Sequence, residues 1–197
     1  MKYPRMTQIF QDAVWKNKTP GFYVEIGAHD GKKKNSTVIL ENAGWDGVCV
    51  EPTPESFCKL VKNRKCRCEN VAVWRSRGTE TFAVYPSDLA FSGIAESLDK
   101  DHIARIDETI CIEVKTCTWQ DLNLPLHIDY LQLDVEGAEM QVLDCIDWKK
   151  QSISYICLED NTAAEGSPAY YDYMLSLGYE CVCRQHVDFL WMKVLKV

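Results

Sequence analysis

An α/β fold built on a mostly parallel sheet is what the chain's pattern predicts, and three observations carry it. Short apolar runs alternate with segments of helical periodicity between Gly21 and Leu177, the arrangement that threads parallel strands through crossover helices. The core runs end in turn-forming or acidic residues, as at Gly27, Pro52 and Asp134, where strands give way to loops. The last two runs, Tyr179 to Cys183 and Val187 to Val194, are separated only by Arg184-Gln185-His186. That link is too short for a crossover, so it closes a hairpin and ends the sheet in one antiparallel strand.

Taken in order, Gly21 to Ile26 reads as the first strand, with Gly27-Ala28-His29-Asp30-Gly31 as its exit turn. A helix over Thr37 to Ala43 stops at Gly44, a residue that accepts the left-handed conformation of a C-terminal cap. Gly47 to Glu51 is the second strand. A helix over Glu55 to Lys62 follows, with Phe57, Leu60 and Val61 on one face. Cys66 to Val73 reads as a third strand and Thr79 to Tyr85 as an additional one. The polar stretch 86–109 breaks the pattern and reads either as a segment that covers a substrate or as a surface loop with a helix at His102 to Ile106. Strands at Ile110 to Thr116, Ile128 to Leu133 and Ile153 to Leu158 follow, with helices at Ala138 to Cys145 and Tyr170 to Leu177. Helices are expected on both faces, in one domain over residues 1–197.

Composition narrows the function. Of 197 residues, 46% are hydrophobic and 26% charged, enough apolar content to bury a core without metal or disulfide staples. The net charge of -7 argues against a dedicated nucleic-acid binder, which needs a basic face for phosphates. Lys32 to Lys34 reads as a solvated helix start. The opening residues carry no apolar signal-peptide core, and no run has the length of a membrane span. The 10 cysteines sit largely inside apolar runs, where a free thiol behaves as a small hydrophobe. A reducing, cytoplasmic setting is therefore expected. Cys66-x-Cys68 and Cys181-x-Cys183 read as strand-face alternation, with a four-thiolate zinc site as the competing reading.

Three strand exits carry acids. Glu25-x-Gly27-x-x-x-Gly31 joins a carboxylate to glycines that let backbone approach a ligand. Glu51 ends the second strand, where an acid takes ribose hydroxyls. Asp134-x-Glu136-Gly137 closes the strand at 128–133. In open α/β sheets ligands bind beyond such carboxyl ends. A nicotinamide site is the rival, but it prefers G-x-G-x-x-G; here His29 stands between Gly27 and Gly31. Crowded acids suit a cationic ligand with a ribose, which S-adenosylmethionine is.

The segments FYVEIGAHDG (22–31), VCVEPTPESFCKL (48–60), NVAV (70–73), VKTCTWQDL (114–122) and IDYLQLDVEGAEMQVL (128–143) together resemble the FkbM family of S-adenosylmethionine-dependent methyltransferases. The resemblance implies a class I, Rossmann-like sheet and a hydroxyl acceptor, often on a sugar or a polyketide. It implies that Glu25, Gly27 and the backbone of Ala28, His29, Asp30 and Gly31 hold the methionine end of the cofactor. Glu51 with Pro52 would bind the ribose, Asn70 and Val71 would border the adenine, and Asp134 would reach the cofactor as well. His29 replaces an Asn or small polar residue common in the family.

A sugar hydroxyl is a poor acid, so a base or a metal is expected beside it. Asp134 and Glu136 are the candidate bases, with Glu136 equally readable as a holder of the 134–137 turn; His102 is a further candidate. Metal-dependent O-methyltransferases offer a second resemblance, which implies Mg2+ or Mn2+ on Asp134, Asp160 and Asn161. The expected function is methyl transfer to a sugar hydroxyl on a glycan or a deoxysugar such as rhamnose. The alternatives are a small phenol or polyketide acceptor, and a cofactor-binding module without turnover.

Overall fold

The computed structural model describes residues 6–16, 18–32, 36–87, 89–98, 109–160 and 168–194. His102 and Asn161 lie outside them. A short N-terminal helix, α1 (Met6–Ile9), runs into a wider turn at Phe10–Val14. Then come β1 (Phe22–Ile26), α2 (Val38–Asn42), β2 (Asp46–Val50) and α3 (Pro54–Asn63). Next are β3 (Arg67–Glu69), β4 (Ala72–Val73), β5 (Gly78–Val84), β6 (Gly93–Ile94) and β7 (Ile110–Cys117). The chain continues with β8 (His127–Leu133), α4 (Glu139–Asp144), β9 (Ser152–Glu159), α5 (Pro168–Ser176), β10 (Tyr179–Gln185) and β11 (Asp188–Lys193).

The main sheet has seven strands in the order β3-β2-β1-β8-β9-β11-β10. Every pairing in it is parallel except the two made by β11. The chain winds outward from β1 to β3, then returns to the other side of β1 as β8. Winding direction therefore reverses between β1 and β8, where side chains at the strand exits diverge and leave a crevice. The hairpin is tighter than the sequence suggests. Gln185 pairs with Asp188, so only His186 and Val187 form the turn, and His186 takes the left-handed φ of 56° that two-residue hairpins demand. Its antiparallel member, β11, lies inside the sheet between β9 and β10 rather than at the edge.

Alternation along the strands builds two cores. Val24, Ile26, Leu131 and Leu133 face one side, where α4 and α5 contribute Val142, Leu143 and Met174. Tyr23, Cys49 and Tyr130 face the other, against Phe10, Leu40 of α2 and Leu60 of α3. Helices thus cover both faces, as expected. Gly44 caps α2 at φ 89°, and Pro54 opens α3 at a position that needs no amide donor. Val61 does not share the buried face of α3 with Phe57 and Leu60; it is exposed.

The middle of the chain differs from the pattern reading. Cys66 to Val73 is not one strand: β3 belongs to the main sheet, whereas β4 belongs to a second, four-stranded sheet ordered β4-β7-β5-β6. Asn70 makes the break by donating its side-chain amide to the carbonyls of Glu51 and Pro52, at 2.8 and 3.0 Å. Periodicity could not show this, because both pieces are strands. The two Cys-x-Cys pairs stand on β3 or its approach and on β10, at opposite edges of the main sheet, so a shared zinc is ruled out. A bulge between Cys181 and Cys183 turns them toward different cores.

Candidate functional site

A cavity of about 380 Å³ opens across the strand exits of the main sheet and under the second sheet. Its size falls in the usual range for small-molecule sites, roughly 300–1,000 Å³. Of the residues singled out in the sequence, Gly27, His29, Glu51, Pro52, Val71, Asp134 and Glu136 line it. Glu25, Ala28, Asp30, Gly31, Asn70 and Asp160 do not.

Glu25 projects from β1 to the opposite face and is 2% exposed. Its carboxylate accepts from the Ser36 amide at 3.0 Å and the Thr37 hydroxyl at 2.6 Å, and it pairs with the Arg64 guanidinium at 3.4 Å. Arg64 also pairs with Glu41 at 3.2 Å and donates to the Tyr23 hydroxyl at 2.7 Å. This buried network stands behind the cavity and anchors Ser36, which lines it. Among the described residues, Glu25 meets the site through Ser36, whose amide it holds.

The exit turn of β1 is also committed internally. The Gly27 and Ala28 amides both donate to the Val50 carbonyl at 3.0 Å, and the Gly31 amide donates to the Ala28 carbonyl at 3.0 Å. Gly27 has φ 87°, and a Cβ there would stand 1.8 Å from the Asp134 carbonyl oxygen. The glycine is required by this contact between the exits of β1 and β8. His29 takes a left-handed φ of 47°, costly for a residue with a side chain. Its amide donates to Glu51 Oε2 at 2.9 Å. Both imidazole nitrogens are buried without a hydrogen-bond partner, with Nδ1 3.7 Å from Asp30 Oδ1.

Glu51 is 6% exposed, held inside the exit of β2. Its Oε1 accepts from both the amide and the hydroxyl of Thr53. Burial raises its pKa, and the hydrogen bonds from Thr53 and His29 oppose that rise. Oε2 accepts from one amide, so the oxygen keeps acceptor capacity.

On the other side of the switch point the acids converge. Asp134, Glu136 and Glu159 present carboxylate oxygens that all lie within 4.8 Å of one another. Asp188 joins them, because the antiparallel register of β11 sets it opposite Glu159. Burial and the neighbouring Glu159 charge hold Asp134 well above the usual carboxylate range. Burial, with Glu159 again, pushes Asp188 up to about 6. Carboxylates this close do not all ionise at neutral pH unless a cation lies among them.

The pattern reading placed a metal on Asp134, Asp160 and Asn161. The close acid set of the described residues contains Glu159 instead. Two-residue alternation explains the shift: Cys157 and Glu159 of β9 line the cavity as do Gln132 of β8 and Asp134 just beyond its end, while Asp160 is buried, 1% exposed, with its amide on the Val187 carbonyl. Extending the strand alternation by one residue would have found Glu159. The 134–137 turn is also held from the start of α4. Glu139, the first residue of α4, accepts from the Val135 and Gly137 amides at 3.0 and 3.1 Å.

The second sheet supplies the apolar wall. Phe82 and Ile94 of its strands line the cavity together with Leu89, Phe91 and Ser92 of the connection between them, so part of the 86–109 stretch lines it. Gly93 lets this strip close on the turn, since a Cβ there would lie 3.3 Å from the Glu136 carbonyl oxygen.

A cavity at the switch point of a mostly parallel sheet, beyond the carboxyl ends of the strands, stands where open α/β folds bind their ligands. The family model described as the methyltransferase FkbM domain matches residues 25–181, and the chain belongs to that family. A search of curated proteins returns no match. Among the described residues, no helix is long and apolar enough to cross a membrane.

Proposed function

We propose that the chain is an S-adenosylmethionine-dependent O-methyltransferase that acts on a sugar hydroxyl. The observation that carries this reading is the shared cavity, in which Glu51 at the exit of β2 and the acids at the exits of β8 and β9 face one space. The residues fit the cofactor. The Glu51 Oε2 lone pair is available to ribose hydroxyls, Val71 and the Phe82–Ile94 wall suit a flat base, and the unpartnered His29 imidazole can meet the polar methionine end. Bound there, S-adenosylmethionine supplies a methyl group activated by a sulfonium.

The protein's part is alignment and proton removal. Holding the acceptor oxygen in line with the methyl carbon supplies much of the acceleration. Asp134 lines the cavity beside Glu159 and, in its ionised form, is placed to take the hydroxyl proton as the methyl–oxygen bond forms and the methyl–sulfur bond breaks, with the thioether leaving. The all-oxygen set Asp134, Glu136 and Glu159 also suits a magnesium or manganese ion, which would lower the hydroxyl pKa. The acids make a terminal sugar with neighbouring hydroxyls a better fit than an apolar polyketide.

The test is incubation of the purified chain with methyl-labelled S-adenosylmethionine and a panel of glycosides, phenols and polyketide alcohols, with and without chelator. Label on a glycoside oxygen supports the reading. Transfer only to phenols, or cofactor binding with no transfer to any acceptor, refutes it in favour of another acceptor class or a binding module. Full activity in excess chelator removes the metal.

A further inference from the structure

The turn between β8 and α4 is expensive to hold. Glu136 and Gly137 adopt φ of 55° and 99° in succession, and the left-handed conformation is costly for a residue with a Cβ. Gly137 is also pressed from outside, since a Cβ on it would stand 2.6 Å from the Ser97 carbonyl oxygen. Yet Asp134, Val135 and Glu136 all line the cavity from this turn, so its shape sets where two of the acids point.

One side chain satisfies the turn from beneath. Glu139 is 2% exposed and does not line the cavity. Its Oε1 accepts from the Val135 amide at 3.0 Å, and its Oε2 accepts from the Gly137 amide at 3.1 Å. The Tyr170 hydroxyl on α5 donates to the same Oε2 at 3.3 Å. Amides on both sides of Glu136 are thus tied to one carboxylate, and the carboxylate is tied to a second helix. Hydrogen bonds of amides to a buried carboxylate are charge-assisted and stronger than those to a neutral acceptor.

We infer that Glu139 is a positioning residue, and that Glu139 and Tyr170 form a brace which aims Asp134 and Glu136 at the acceptor. The inference rests on the reading of this cavity as the methyl-transfer site. It assigns to Glu139 no contact with the cofactor or acceptor. Loss of the brace lets the turn relax and moves the acids, and a displacement of about 1 Å at a reacting group costs roughly 10²-fold in rate.

The experiment compares Glu139→Ala, Glu139→Gln and Tyr170→Phe by two readouts. The first is amide hydrogen exchange, which needs no activity. Faster exchange at Val135 and Gly137 in Glu139→Ala, by about tenfold or more and without a matching change in the strands, shows the brace; wild-type exchange at both amides overturns it. The second is kinetics with labelled cofactor. Glu139→Ala is expected to lower kcat by about a hundredfold while the Kd for S-adenosylmethionine changes less than about threefold. Glu139→Gln, which keeps one carbonyl acceptor for the amides, is expected to recover at least about tenfold of that loss, and Tyr170→Phe to lie between it and wild type. Should Glu139→Ala fail to fold, the comparison of Glu139→Gln with Tyr170→Phe decides: wild-type kcat in both overturns the inference. A loss of cofactor affinity equal to the loss of kcat also overturns it. If wild-type protein methylates nothing, the proposed function fails, and exchange alone still decides whether the brace exists.

Discussion

Arg64→Met is the most informative single change to the fold behind the site. The Arg64 side chain is fully buried, and it faces Glu25 and Glu41, whose side chains are 3% and 11% exposed. Methionine keeps most of the length and apolar stem but removes every donor, leaving two carboxylates in the interior without their cation. Breaking a buried pair in this way costs about 3–5 kcal/mol, because the remaining charge is uncompensated. The Tyr23 and Thr37 hydroxyls, which accept from the guanidinium at 2.7 and 3.0 Å, lose a partner as well. For a chain of this size the loss corresponds to a fall in Tm of roughly 6–20 °C. The assay is urea unfolding followed by tryptophan fluorescence, with Lys59→Ala as control. That lysine makes an exposed pair with Glu55 one helical turn away, and its loss should cost under about 0.5 kcal/mol. Adding Glu25→Gln to Arg64→Met should cost less than the two single changes together, since the partners belong to one network. An Arg64→Met midpoint within about 1 kcal/mol of wild type would refute the network as a structural element.

Three further expectations follow from the same geometry. Gly27→Ala should destabilise the chain by roughly 3 kcal/mol or more, combining a left-handed alanine with a forced shift of the Asp134 carbonyl; a wild-type urea midpoint would contradict that contact. Glu51→Ala should weaken S-adenosylmethionine binding by titration and also lower stability by about 1–2 kcal/mol, because the His29 and Thr53 donors lose their acceptor; unchanged affinity would remove Glu51 from the cofactor site. Glu139, pushed up to about 7 by burial, and Asp188, at about 6, titrate above ordinary carboxyls. The stability they contribute is present below the unfolded carboxyl pKa and is lost as pH rises through 6 and 7, up to about 3 kcal/mol each. Tm at pH 8 should therefore fall below that at pH 5.5, and millimolar Mg2+ or Mn2+ at pH 8 should restore part of it if the acids take a cation. A higher Tm at pH 8 in metal-free buffer would contradict the burial of these groups.

Much of this arrangement was legible in the sequence. The strands announce themselves because buried parallel strands are continuous apolar runs, and Gly44, Pro52 and the final hairpin mark boundaries with residues whose backbone preferences are narrow. Glu51 and Asp134 could be placed at strand exits because each follows such a run directly. The second sheet could not be seen, since the split at Asn70 depends on a side chain reaching the carbonyls of Glu51 and Pro52 across the turn. Asp188 was hidden for a similar reason: only the two-residue turn and the register of β11 bring it opposite Glu159. Glu139 looked like one more helical acid. Its role comes from the left-handed pair at Glu136 and Gly137, which no periodicity reports.

The charge of the chain takes on a sharper meaning once its acids are sorted by partner. Glu25 and Glu41 are answered by Arg64 inside the fold, and Glu139 is answered by amides and a tyrosine. They therefore add little to the field in the cavity. Glu51, Asp134, Glu136, Glu159 and Asp188 face the cavity, and among the described residues that line it there is no lysine or arginine. A pyrophosphate brought into this space would meet carboxylates with no cation between them, and the amides of Gly27 and Ala28 that might have turned toward it are already bound to Val50. A sulfonium, or a divalent ion beside it, meets the opposite condition: burial raises the pKa of Asp134 and Asp188, the neighbouring Glu159 charge raises it further, and a cation relieves that second contribution. Repulsion among these carboxylates thus becomes binding energy for a cation, so affinity for a cationic ligand should rise as Asp188 ionises through about pH 6.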